Sequence, residues 1–202
     1  MSMFDRLAAF LQERKGDIYP EEESGIHAQI TVQVVELLVS RGELQPGRRV
    51  LDVGCGQGPA LAEFRKRGIE ATGITLGDDV AACRAKGFDV VEMDMSDLDF
   101  ADGSFDFIWC RHALEHSVFP LFTLSEFRRL LGPGGGAYVE VPAPDTVAQH
   151  ETNPNHYSVM GKTMWRNLFV RAGFRQHWEQ DINIPLDIGP DVYWGFLLTR
   201  GD

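Results

Sequence analysis

The chain has 202 residues, of which 44% are hydrophobic and 24% are charged, and its formal net charge is −11. These totals are typical of one folded domain with an ordinary hydrophobic core, and they exclude a largely disordered chain. A surface with an excess of carboxylates repels phosphate backbones, so we do not expect a nucleic-acid partner.

The cysteines and the hydropathy pattern indicate the cellular compartment in which the protein is expected. Cys55, Cys83 and Cys110 form no CxxC pair, so neither a disulfide framework nor a zinc ribbon is expected. No stretch approaches the roughly 18 apolar residues that a membrane span needs, and residues 1–15 do not resemble a signal peptide. We therefore expect a cytoplasmic protein without a membrane span.

The predicted elements begin with two helices and continue as alternating strands and helices. An amphipathic helix over 3–14 is followed by a polar linker over 17–23, and Ser24 precedes a second helix that ends near Gly42. Strands are then predicted at 49–53, 70–74, 88–92, 105–110 and 137–141, with helices at 59–67, 78–86 and 120–131. This alternation predicts parallel strands with helices on both faces.

The last third of the chain has a different pattern. Residues 142–160 are predicted to form one long loop, a length typical of functional lids. A helix over 161–172 and two strands, 174–180 and 192–199, complete the chain. We predict one α/β domain over 1–202, with a helical cap (1–45), a core (46–141) and a substrate-side region (142–202). Its sheet is doubly wound and Rossmann-like, mostly parallel with an antiparallel C-terminal edge strand.

The clearest functional signal is a glycine loop after the first strand. Asp52, Gly54, Gly56 and Gly58 follow the pattern Asp-x-Gly-x-Gly-x-Gly, in which glycines let a ligand lie against the backbone. A dinucleotide fingerprint has its third glycine one position later, and no nearby arginine or lysine could hold phosphates. Asp52 would repel a pyrophosphate but would suit a cationic amino group, which disfavours the alternative of an NAD-dependent oxidoreductase.

Several motifs in fixed order extend this signal, at 51–58, 93–95, 102–106, 113–116 and 130–135. With them, residues 49–141 resemble the class I S-adenosylmethionine-dependent methyltransferases, especially those of ubiquinone and menaquinone biosynthesis. The resemblance implies S-adenosyl-L-methionine as the cofactor. The cofactor-binding residues that it implies are Asp52, Gly54, Cys55, Gly56, Gly58, Thr75, Leu76, Asp94, Met95 and Arg111.

Thr75 departs from the family pattern. The family carries an acidic residue there, which holds both ribose hydroxyls of the cofactor, and a threonine loses that charge-assisted contact. Asp78 or Asp79 could supply it instead. A similar substitution occurs in cyclopropane fatty acid synthases, which leaves a cyclopropane-synthase-like enzyme as an alternative.

The methyl acceptor is expected to be a small molecule, with oxygen favoured as the receiving atom. A hydroxyl acceptor usually needs a general base, and the candidates are His112, after the fourth strand, and His156, in the long loop. A non-catalytic or regulatory protein that binds the cofactor is the remaining alternative. The sequence indicates neither the identity of the acceptor nor an oligomeric state.

A divalent metal site is also predicted from spacing. His112, Glu115 and His116 stand at i, i+3 and i+4, which would place them on one helical face, and imidazole and carboxylate bind divalent metals. Ubiquinone-pathway O-methyltransferases and plant small-RNA methyltransferases resemble this segment with Glu-x-x-Glu-His. His150 or His156 could add a ligand. The alternative is that Glu115 and His116 only pack.

Overall fold

The computed structural model describes residues 1–14 and 25–202, so the predicted linker and Ser24 lie outside the described residues. The helices are α1 (Met3–Arg14), α2 (Gly25–Ser40), α3 (Pro59–Lys66), α4 (Asp78–Ala85), α5 (Pro120–Leu130) and α6 (Lys162–Arg171). The strands are β1 (Arg49–Val53), β2 (Glu70–Thr75), β3 (Asp89–Glu92), β4 (Phe105–Arg111), β5 (Leu131–Pro142), β6 (Phe174–Leu186) and β7 (Gly189–Arg200). Among the described helices, none combines the length and the apolarity that crossing a bilayer requires.

The seven strands form one sheet in the order β3-β2-β1-β4-β5-β7-β6. Strands β1 to β5 pair in parallel, and β7 runs antiparallel to both of its neighbours, β5 and β6. The predicted doubly wound, mostly parallel sheet is therefore confirmed. The antiparallel strand is β7, which lies between β5 and β6, so β6 takes the edge of the sheet.

Helices cover both faces of the sheet. On one face, α2, α3 and α4 contribute Val35, Phe64 and Cys83 to a buried cluster. On the other face, α5 and α6 contribute Phe127 and Trp165 to a second cluster. Burying these side chains stabilises both layers, because each large apolar side chain gains about 1.5–3 kcal/mol on leaving water.

Strand β5 begins six residues before its predicted start. The glycine- and proline-rich residues 132–136 lie between the predicted helix (120–131) and the predicted strand (137–141), so no strand was expected there. Instead, Leu131 pairs with Phe105, and the register shifts before Gly136 pairs with Phe107. The extra residues form an irregularity within the ladder, which sequence patterns do not reveal because the pairing depends on β4.

Candidate functional site

A cavity of about 200 Å³ opens at the carboxyl ends of β1 to β4, where the strand order reverses. Ligands of doubly wound sheets bind at this position. Residues from α1 (Leu11 and Arg14) and from the long loop (Asn155 and Tyr157) complete its wall. Six of the predicted cofactor-binding residues line the cavity, namely Gly54, Gly56, Thr75, Leu76, Asp94 and Met95.

The glycine loop brings backbone to the cavity wall. Gly54 has a φ of +69°, and a Cβ there would lie 2.5 Å from the Cβ of Ala113. Gly58 begins α3 with a φ of +83°, and a Cβ there would lie 2.9 Å from the ring of Phe88. Gly54 therefore keeps the wall open, whereas Gly58 lies behind the loop and shapes it without lining the cavity.

Asp52 is the buried acid directly before the loop. Its side chain is 2% exposed, and Oδ2 has no hydrogen-bond partner within the described part of the chain. Burial raises the pKa of this carboxyl to about 8. A buried acceptor without a partner is costly. Asp52 is not among the residues that line the cavity, so a ligand donor, above all a cationic one, would complete this position only by reaching past the glycine loop.

Two predicted cofactor-binding residues are turned away from the cavity. Cys55 is buried, and its Sγ packs so closely on β2 that a Cβ at Gly73 would lie 2.7 Å from it. Arg111 donates from Nη1 to Oγ1 of Thr31 at 2.8 Å and pairs through Nε with Glu140 at 2.6 Å. Cys55 therefore packs between the glycine loop and β2, and Arg111 connects β4 to α2 by hydrogen bonds.

His112 lines the cavity and pairs with a fully buried acid. Its Nε2 lies 2.8 Å from Oε1 of Glu140. Burial alone would raise the pKa of Glu140, but Arg111 and His112 outweigh it and lower that pKa to about 2. Glu140 is thus ionised and accepts only, so Nε2 of His112 carries the proton and Nδ1 carries the lone pair. Burial, aided by Arg111, lowers the pKa of His112 to about 4, so its imidazole is neutral at physiological pH.

Two further rings hold the imidazole of His112. Tyr193 stacks on it with ring centroids 4.1 Å apart, and His27 meets it edge-on at 5.0 Å. No sequence pattern indicates that Glu140 and Tyr193 lie beside His112, since they belong to β5 and β7.

The ends of β2 and β3 contribute polar groups to the cavity. Thr75 lines it at the position where an acid was expected, and Asp79, in the first turn of α4, lines it as well. Asp94 accepts from the backbone N–H of Ser96 at 2.7 Å, which fixes the turn after β3. One side of the cavity therefore carries two carboxylates and a threonine hydroxyl.

The expectation that His112, Glu115 and His116 share a helical face is wrong. His112 has a φ of +53°, and only a short 3-10 turn (Leu114–His116) follows it. Positive φ ends any helical continuity, so His112 turns towards Glu140 and away from the other two. Within the described residues, the group close enough to share a cation is Glu115, His116 and His156.

The long loop is anchored at two points. Nε2 of His150 lies 2.9 Å from Oδ1 of the buried Asp191 on β7, and the backbone N–H groups of Tyr157 and Ser158 donate to the carbonyl of Glu115. His156 lies beside His116, with ring centroids 4.7 Å apart, and does not line the cavity. Of the two predicted bases, only His112 reaches the cavity.

Comparison with known families decides the assignment. Residues 25–180, more than half of the chain, match the family model described as a methyltransferase domain. The chain belongs to this methyltransferase family. The predicted resemblance to class I methyltransferases is thereby confirmed.

Known proteins similar to this methyltransferase domain act on different molecules. It is 29% identical over 159 residues to the 27-O-demethylrifamycin SV methyltransferase of Amycolatopsis mediterranei, covering 70% of this chain and 58% of that protein. It is 35% identical over 100 residues to the ubiquinone biosynthesis O-methyltransferase of Methylococcus capsulatus, covering 46% of this chain and 42% of that protein. The chain thus spans about half the length of these relatives.

A solved structure has the same fold as this methyltransferase domain. It is the Burkholderia thailandensis 1,6-didemethyltoxoflavin-N1-methyltransferase with bound 1,6-didemethyltoxoflavin and S-adenosylhomocysteine. The TM-score is 0.67 at 21% identity, with 87% of this chain and 78% of that chain covered.

Proposed function

We propose that this chain is an S-adenosylmethionine-dependent methyltransferase that methylates an oxygen atom of a small molecule. The observation that carries the proposal is a single cavity lined both by the glycine loop, through Gly54 and Gly56, and by the neutral imidazole of His112. One wall suits the cofactor, and the histidine suits proton removal from an acceptor beside it.

The residues present fit the cofactor. Asp52 offers a buried oxygen without a hydrogen-bond partner among the described residues, which suits the cofactor's amino group. Thr75 and Asp79 offer oxygens for ribose hydroxyls, with Asp79 replacing the acid that the family carries at the strand end. Asp94 and Met95 line the cavity together, where a carboxylate can accept from the adenine amino group and a thioether can pack on the ring.

The chain contributes a proton acceptor and a water-poor site. When bound, the cofactor supplies an electrophilic methyl group on a sulfonium. Glu140 holds the Nε2–H of His112, so Nδ1 is available to take the proton of a hydroxyl as its oxygen becomes nucleophilic. Arg111 and Tyr138 also donate to Glu140, which keeps that carboxylate ionised while His112 is charged. Leu11 of α1 and Tyr157 of the loop reduce access of water to the cavity.

The choice of oxygen is supported by the histidine and by the relatives. A hydroxyl gains from a base, whereas an amine is already nucleophilic when neutral. The two relatives described above are named for methylation at oxygen or of an O-demethylated compound. We infer a phenol or a sugar hydroxyl as the acceptor class, because a carboxylate is already ionised at neutral pH and has no proton for His112 to take. We also propose that no nucleic acid binds, because of the charge of −11.

Calorimetry followed by an acceptor screen tests the proposal. S-adenosylhomocysteine should bind with one site per chain, and NAD should not bind. Formation of S-adenosylhomocysteine from the methylated cofactor is then measured with phenols, sugars and carboxylates, for the wild type and for His112→Asn. The control His177→Asn changes an exposed histidine on β6 and should leave transfer unchanged. Failure to bind either form of the cofactor would refute the proposal. Binding without transfer to any acceptor would favour a regulatory role.

A further inference from the structure

Two buried thiols meet behind the glycine loop. Cys55 belongs to the loop and Cys83 lies on α4, and both are free. Each donates its S–H to the carbonyl oxygen of Gly56, from sulfurs that lie 3.7 and 3.1 Å away respectively. The two side chains also interact directly with each other. Cys110 lies in the cluster on the opposite face of the sheet, so of the three cysteines Cys55 and Cys83 are the pair that can bond.

Close packing holds the two sulfurs in place. A Cβ at Gly73 would lie 2.7 Å from Sγ of Cys55, and a Cβ at Gly58 would lie 3.3 Å from Sγ of Cys83. The absence of a side chain at these two glycines therefore leaves the space that the sulfurs occupy. Two groups confined side by side react with each other far more readily than the same groups free in solution.

We propose that Cys55 and Cys83 form a disulfide on exposure to hydrogen peroxide, and that this bond weakens cofactor binding. One thiol reacts with the peroxide, becomes a sulfenic acid and releases one water. The second thiol displaces another water from the sulfenic acid and forms the S–S bond. The two cysteines together lose two protons and two electrons, and the peroxide is reduced to two waters.

Cys83 is the thiol that reacts first. Burial raises the pKa of both thiols, and Asp52 raises that of Cys55 further. Contact with Cys55 and the charge of Lys86 partly offset the rise at Cys83. Because the thiolate is the nucleophile, Cys83 attacks the peroxide and Cys55 completes the bond. Burial of both sulfurs makes the reaction slow, so it responds to sustained exposure to peroxide.

The bond would alter two walls of the cavity. A disulfide carries no S–H, so the carbonyl of Gly56 would lose both donors, and the sulfurs would have to approach to about 2 Å. Gly56 lines the cavity, and so does Asp79, one turn before Cys83 on α4. Oxidation would therefore shift the glycine loop against α4. The effect on the cofactor rests on the proposed function, whereas formation of the bond does not.

Peroxide treatment of the full chain, followed by mass spectrometry of the intact protein and of its peptides, tests the bond. We expect the loss of two hydrogen atoms, a peptide pair that joins Cys55 to Cys83, and reversal by dithiothreitol. Cys110→Ser should oxidise like the wild type. Cys83→Ser, whose hydroxyl can still donate to Gly56, should form no such bond.

Calorimetry with S-adenosylhomocysteine tests the consequence. The oxidised wild type should bind it about tenfold more weakly than the reduced wild type, a coupling of ordinary size between two sites. Reduction with dithiothreitol should restore the affinity. Peroxide should leave the affinity of Cys83→Ser unchanged.

The wild type alone can overturn the proposal if a variant folds poorly. Three free thiols in the denatured chain after peroxide treatment, or sulfinic acid at either cysteine in place of a disulfide, would refute the bond. Equal affinity of the oxidised and reduced wild type for S-adenosylhomocysteine would refute its effect on the cofactor. A chain that forms the bond but binds the cofactor in neither state would refute the proposed function and establish the modification site alone.

Discussion

Replacing Asp52 with asparagine should stabilise the cofactor-free protein at neutral pH. Burial raises the pKa of this carboxyl from an ordinary 3.8 to about 8. The folded state therefore holds the proton more tightly than the unfolded state. The contribution of protonated Asp52 to the free energy of unfolding is fully present below pH 3.8, and it is lost as the pH rises towards 8. Each pH unit in this window is worth about 1.4 kcal/mol, so by pH 7 the loss is about 4 kcal/mol.

Urea unfolding from pH 4 to pH 8 measures this effect. The free energy of unfolding of Asp52→Asn should fall less steeply than that of the wild type, because asparagine does not titrate. The variant should exceed the wild type by up to about 4 kcal/mol at pH 7, and the two should converge near pH 4. Parallel curves for the two proteins across this range would refute the inference that Asp52 is buried without compensation.

The same substitution should weaken binding of the cofactor, at least tenfold, through loss of a charge-assisted hydrogen bond. Wild-type Asp52 is protonated at pH 7, and a cationic amino group would ionise it, so cofactor binding should release close to one proton. Calorimetry in phosphate and in Tris at pH 7 detects that proton through the difference in observed enthalpy. If the observed binding enthalpy is the same in both buffers, no proton is released on binding. That result would contradict an ion pair between Asp52 and the amino group of the cofactor. Asp106→Asn, at the opposite end of the sheet beside Arg49, is the matched control.

Three further substitutions or profiles test other parts of the cavity. Gly54→Ala should lower the free energy of unfolding by about 1–3 kcal/mol and abolish cofactor binding, because its Cβ would collide with Ala113. The control is Gly68→Ala, since Gly68 has a similar φ of +66° but open space around it. Urea unfolding of this control measures the cost of backbone strain alone. With saturating cofactor, kcat should stay level from pH 7 down to about pH 5, because burial lowers the pKa of His112 to about 4. A loss centred near pH 6.5 would contradict this lowered pKa, and an unchanged kcat in His112→Asn would exclude His112 as the base. Asp79→Asn should raise the cofactor Kd about tenfold by calorimetry, and an unchanged Kd would exclude it from the ribose contact.

The cofactor side of the cavity could be predicted because its parts are contiguous in sequence. Gly54 and Gly56 follow β1 directly, and Thr75 and Asp94 follow the next two strands, so each residue's place is fixed by the strand before it. Parallel pairing then brings these strand ends to one edge of the sheet. Residues of this kind need only local turns and a correct strand order.

The environment of His112 could not be predicted, because it depends on contacts between distant segments. Glu140 is 28 residues away along the chain and Tyr193 is 81 away, and β7 must insert between β5 and β6 before Tyr193 can stack on the imidazole. The prediction of a helical face from 112 to 116 was wrong for a local reason. A positive φ at a non-glycine residue is uncommon and has no clear sequence signature.

Asp52 and Glu140 are two buried acids with opposite protonation states, and this difference separates cofactor binding from the support of His112. Glu140 is fully buried, yet its pKa is about 2, because Arg111, His112 and Tyr138 all donate to it. Asp52 is nearly as buried, but one of its oxygens lacks a partner among the described residues, and its pKa is about 8. The chain itself satisfies Glu140, which therefore acts as a fixed negative charge behind His112. The described residues offer no hydrogen-bond donor to one oxygen of Asp52, so Asp52 ionises only when a cationic ligand binds. Stability is thus lost at Asp52 in the absence of ligand and recovered when the ligand arrives.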